Sequence, residues 1–123
     1  MSFELKIRDA ITPQGQRLAI VPIEGRLDTL VNMDVRNKIQ QIVDFGYPNL
    51  LLDLDRVTSF DSSGISVLVS TMRKCKAAGG RMAICKPPDM VTIALEACGM
   101  VPLFPNFTDE ETAIANFPSA RSI

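Results

Sequence analysis

Histidine is absent from this 123-residue chain. With it go the usual base of Ser/His/Asp and Cys/His arrangements and the commonest neutral metal ligand, so hydrolytic catalysis loses most of its support. Cysteine is scarce: Cys75, Cys85 and Cys98 are odd in number, widely spaced and set in apolar patterns. They are expected to be small buried side chains, not a disulfide framework or a thiolate cluster holding a metal. There is no G-x-x-x-x-G-K-[ST] loop and no G-x-G-x-x-G fingerprint, so neither common route to nucleotide binding is visible. No stretch approaches the roughly 20 apolar residues of a membrane span. The amino-terminal MSFELKIRD carries charge within a few residues and has no apolar signal core. A soluble cytoplasmic protein without membrane insertion is expected. An excess of charge is missing too. The formal net charge of −1 arises from interspersed acidic and basic residues, so no field points toward nucleic acid or an anionic surface.

What is present suits one compact unit. With 46% hydrophobic residues the chain can build its own core, yet it is too short for two ordinary domains. Phe3, Leu5 and Ile7 alternate over Phe3 to Arg8, and a polar Gly/Pro-containing turn separates them from RLAIVPI, Arg17 to Ile23, which predicts an antiparallel pair. Pro22 cannot donate to a ladder and should lie at an edge, a bulge or a strand end. Val31, Val35, Ile39 and Ile42 recur at helical spacing, with Asp28 or Thr29 to cap the start and Gly46 then Pro48 to stop the helix. NLLLDLD, Asn49 to Asp55, is apolar on both faces, as expected of a central strand in a covered sheet. A second helix is expected to follow it, with Ile65, Leu68, Val69, Met72 and Cys75 in one stripe and Gly79 and Gly80 at its end. RMAIC is the next strand, parallel to the previous one. Pro87 and Pro88 lead into a third helix with Val91, Ala94, Leu95 and Cys98 in its stripe and Gly99 at its end. VPLFPNF is expected to be extended. Thr108 with Glu111 makes a capping box for a last short helix bearing Ala113, Ile114 and Phe117.

The segment TSFDSSGIS, Thr58 to Ser66, occupies the junction between a strand and a helix. Open α/β sheets place ligand sites at such junctions. The first turn of the helix has unpaired N–H groups and the positive end of the dipole, so a serine oxygen can cap it and an added phosphate would find donors. Ser62 or Ser63 can serve simply as a helix cap. A nucleophile elbow would need G-x-S-x-G and a histidine, and neither is present. What remains is a serine that is acted upon. Asp28, Asp55 and Asp61 could form an acidic metal group, but caps, turns and solvated strand ends use Asp far more often, so they are taken as structural.

The order EGRLD, an amphipathic helix, LLLDLDRVTSFDSSGISVL, GGRMAIC and ALEACGMVPLF resembles the STAS domain family, in particular the stand-alone anti-sigma factor antagonists of bacteria. The resemblance implies a single α/β domain over 1–117 with a mixed sheet of four to five strands and about four helices packed against it; the tail at 118–123 is expected from the sequence to be loose. It further implies a phosphorylation-controlled binding protein, not an enzyme, with no cofactor of its own. Ser62 matches the phosphorylated serine of the family, Ser63 the neighbouring conformational position and Gly64 the family glycine. Ser66 stands where many relatives have a second glycine. The partner-binding surface implied comprises Asp28, Asp61, Ser62, Ser63, Gly64 and Ser66. The implied partners are an anti-sigma factor serine kinase, which binds the ATP and magnesium, and a serine phosphatase; no nucleic acid is expected. A phosphoswitch with a target other than a sigma factor, a small-anion or nucleotide binder, and a structural subunit of a larger assembly stay open beside it.

Overall fold

The computed structural model describes residues 6–118. Strands β1 (Arg8–Ile11), β2 (Arg17–Pro22) and β3 (Gly25–Leu27) precede helix α1 (Asn32–Asp44). Then come β4 (Leu50–Asp53), β5 (Val57–Phe60), α2 (Ser62–Ala77), β6 (Met82–Cys85) and α3 (Asp89–Ala97). A 3-10 turn at Val101–Leu103, the two-residue β7 (Asn106–Phe107) and α4 (Glu110–Ala115) complete the order. Five strands form a mixed sheet in the order β1-β2-β4-β6-β7, with β1 antiparallel to β2 and the other neighbours parallel. This is the expected α/β architecture.

Side-chain alternation sorts the sheet into two covered faces. Ala19, Val21, Leu50, Leu52, Met82 and Ile84 point into the larger core with residues of α1, α2 and α3. Leu18, Ile20, Leu51, Ala83 and Cys85 point the other way, onto Ala113 of α4 and Phe117. Burial on both faces explains why β4 and β6 read as continuous apolar runs. β2 ends at Pro22, where the missing N–H breaks no ladder.

Beyond the carboxyl ends of β2 and β4 the two segments continue side by side as β3 and β5, a separate parallel pair. This pair corrects the expectation that α2 follows the central strand directly: the turn at Asp61 leaves β5, not β4. The first strand also differs. It begins at Arg8 and extends into the segment read as a turn, while Phe3 and Leu5 lie outside the described residues, as do 119–123 of the expected tail. Val101–Leu103 coils into a 3-10 turn instead of extending. α4 is capped by Asp109, whose Oδ1 accepts from Thr112 N–H at 2.7 Å, one residue later than the predicted Thr108. Cys75 and Cys85 are buried as expected, but Cys98 is exposed because it sits past the last turn of α3, where the helical stripe no longer faces the core.

Asn49 ties three strand starts together. Its Nδ2 donates to the Arg17 carbonyl at 3.3 Å, and its Oδ1 accepts from the Arg81 N–H at 3.0 Å. Asn49→Ala removes both bonds at a buried position. A loss of about 1–3 kcal/mol is expected in denaturant unfolding, with an unchanged far-UV dichroism spectrum.

Candidate functional site

The β3–β5 pair brings two loops to one place. β3 delivers Asp28 and Thr29, and β5 delivers Ser59, Phe60 and the start of α2. Asp28 is buried, and its Oδ2 accepts from the Ser59 hydroxyl at 2.7 Å and pairs with the Arg26 guanidinium at 2.8 Å. Its Oδ1 accepts from the Leu30 N–H at 3.1 Å, which closes a local turn. With its carboxylate so committed, Asp28 does not cap α1. That helix starts at Asn32 behind Val31, with no side-chain cap.

Asp61 is the cap of α2. Its extended backbone turns the chain into the helix, and its Oδ1 accepts from the Ser63 N–H at 2.8 Å. The Oδ2 accepts from the Thr29 hydroxyl at 3.0 Å and from the Thr29 N–H at 3.4 Å. The Ser63 and Thr29 hydroxyl oxygens are 3.1 Å apart. An ionised carboxylate only accepts, so the single Thr29 hydroxyl proton goes to Asp61 and Ser63 donates to Thr29. Burial pushes the Asp61 pKa up, but the donors from Ser63 and Thr29 outweigh it and hold the carboxyl below its ordinary value. The Ser59 hydroxyl, followed by Arg26, does the same for Asp28. Both are therefore ionised at neutral pH.

Ser62 stands first in α2 and is exposed. Around it the hydroxyls are engaged: Ser59 on Asp28, Ser63 on Thr29, and Ser66 on the Ser62 carbonyl at 3.2 Å. The Ser62 hydroxyl has no hydrogen bond among the described residues. Gly64 is buried beneath it. A Cβ there would meet the Leu27 carbonyl oxygen at 2.5 Å and the Phe60 ring at 2.6 Å, so the residue lets α2 lie directly on the β3–β5 pair. The same close approach rotates the inner face of α2 from the predicted stripe. Gly64, Val67, Leu68, Thr71 and Cys75 are buried, while Ile65, Val69 and Met72 pack at the margin. Thr71 satisfies its hydroxyl on the Val67 carbonyl at 2.7 Å.

Asp28, Asp61, Ser62, Ser63, Gly64 and Ser66 are thus gathered in one region, Asp28 and Gly64 beneath the surface and Asp61, Ser62 and Ser66 upon it. Sequence reasoning missed Thr29 as the link to Asp61, and Ser59 and Phe60 as the floor of the site. It also missed the exposed apolar Leu30 and Met33, whose signal was hydrophobicity off the helical stripe. Asp55 takes its N–H to Asp53 Oδ1 at 3.1 Å and is no part of the cluster. Among the described residues no group of His, Cys, Asp and Glu side chains is arranged to hold a metal. Burial pushes the Cys75 and Cys85 thiols up to about 12, so neither supplies a thiolate at neutral pH. No described helix is long and apolar enough to cross a membrane. A groove of about 140 Å³ between Met72, Lys76, Arg81, Met82 and Leu103 lies toward the far end of α2.

The family model described as STAS domain matches residues 6–113. The candidate anti-sigma factor antagonist BtrV of Bordetella bronchiseptica is 23% identical over 103 residues, covering 84% of this chain and 89% of BtrV. The structure of the anti-sigma factor antagonist SpoIIAA in its unphosphorylated form is similar with a TM-score of 0.69 at 22% identity, over 89% of this chain and 93% of SpoIIAA. The phosphorylated form of the same protein, a Bacillus cell fate determinant, is similar with a TM-score of 0.64 at 22% identity, over 90% of this chain and 96% of that one.

Gly64→Ala gains helix propensity but drives a methyl group against a carbonyl that cannot yield, so a net loss of about 1–3 kcal/mol in chemical unfolding is expected. Asp28 binds its proton less readily folded than unfolded. It therefore stabilises the fold above the ordinary carboxylate range and stops doing so as pH falls through its depressed value. Thermal midpoints taken from pH 7 down to about 3 should fall less steeply in Asp28→Asn than in the wild type, from a lower start at pH 7.

Proposed function

This chain belongs to the STAS domain family, and from that we propose that it is a cytoplasmic anti-sigma factor antagonist working by partner switching. It is a regulator, not an enzyme. Unmodified, it binds an anti-sigma factor that is also a serine kinase and so frees a sigma factor. Phosphorylated on Ser62, it lets go, and a serine phosphatase resets it. The kinase brings ATP, magnesium and the catalytic groups. This chain brings the acceptor hydroxyl and the surface formed by Asp61, Ser62, Ser63 and Ser66, held from beneath by Asp28 and Gly64.

The observation that carries the reading is the contrast among hydroxyls. Ser59, Ser63 and Ser66 are each engaged, while Ser62 is exposed and unpaired among the described residues on the first turn of a helix. An acceptor must present a free hydroxyl to the kinase, and Ser62 alone of these four does so. The similarity to a protein known in both unphosphorylated and phosphorylated forms supports the same reading.

Affinity capture from the native cell, with mass spectrometry of what is retained, identifies the partner. Incubating the protein with that captured kinase and ATP should add one phosphate by intact mass, and Ser62→Ala should add none while still retaining the partner. Full modification of Ser62→Ala would refute the assignment.

A further inference from the structure

Thr29 reaches across 32 residues of sequence to the cap of α2. With Oδ1 held by the Ser63 N–H and Oδ2 by the Thr29 hydroxyl and N–H, both Asp61 oxygens are committed. Held in that orientation, neither oxygen is hydrogen-bonded to the hydroxyl of the adjacent Ser62. We infer that Thr29 is a positioning residue for the modification of Ser62: its hydroxyl fixes the Asp61 carboxylate on the helix cap and so leaves the Ser62 hydroxyl unpaired and facing outward. The role rests on the phosphorylation reading above. In that step the Ser62 oxygen forms a bond to the terminal phosphorus of ATP as the bond to ADP breaks, and the hydroxyl proton passes to a base of the kinase. A Ser62 hydroxyl bonded to a loosened Asp61 would have to leave a charge-assisted hydrogen bond before it could align. Thr29 is exposed, so filling space does not account for it.

The test compares Thr29→Val, which keeps the shape and loses the hydroxyl, with Thr29→Ser, which keeps the hydroxyl. The substrate in each case is the full chain, with ATP, magnesium and the kinase captured on the wild type. In Thr29→Val, kcat for phosphate transfer to Ser62 should fall about tenfold with KM within about twofold, as expected of a misaligned acceptor. Thr29→Ser should restore the wild-type rate. Amide exchange at Ser63 should speed up in Thr29→Val alone, while the core amides stay protected. Equal kcat in Thr29→Val and the wild type overturns the positioning role, whatever Ser63 exchange does. A wild-type protein that accepts no phosphate on Ser62 overturns the underlying reading instead, so the wild-type control separates the two failures.

Discussion

The Asp61 carboxylate is the point on which this end of the molecule turns. One oxygen caps α2 through Ser63, and the other receives the loop after β3 through Thr29. A single ionised side chain therefore closes the helix start and fastens a second segment to it. It can do so only because β3 and β5 run together, and they are secured in turn by Asp28 through Ser59 and Arg26. Gly64 completes the arrangement by letting the helix lie on the pair without a gap. The result is a shelf on which Ser59, Ser63 and Ser66 are engaged and the Ser62 hydroxyl has no hydrogen bond among the described residues.

In the partner-switching account the shelf is what makes phosphate effective. A phosphoserine adds about −1.5 to −2 charge at neutral pH, more than the whole formal charge of −1, and places it beside an ionised Asp61. At the amino end of a helix that charge is tolerated, with a local gain of up to about 1 kcal/mol against a domain stability of about 5–15 kcal/mol. On that account folding would be little altered by the modification. On the same account binding would be altered strongly, because a partner fitted to a neutral hydroxyl must desolvate the new charge.

The larger architecture was legible where burial writes itself into periodicity. β4 and β6 are apolar on both faces because both faces are covered, and α1 keeps its stripe because one side meets the core. β5 was not legible as a strand. VTSF is four residues long, carries two hydroxyl side chains and, among the described residues, pairs with the three-residue β3 alone, so neither length nor alternation distinguished it from a turn. Reading β5 as part of the turn also concealed Ser59 and Phe60 as the floor of the site. The Thr29 link was out of reach for another reason: a hydrogen bond over 32 residues leaves no local pattern. Cys98 and Thr108 failed at element ends, where a periodic rule continues for a residue or two after the helix has stopped or before it has begun.

A partner switch requires that modification at one position control affinity for the captured kinase. Titration calorimetry of that kinase, loaded with ADP, against unmodified protein and against protein carrying phosphoserine at position 62 measures this directly. Burying the added charge should weaken binding by about 2–4 kcal/mol, roughly 30- to 1,000-fold. Equal affinity for the two forms would contradict the account, because no switch would then exist at Ser62.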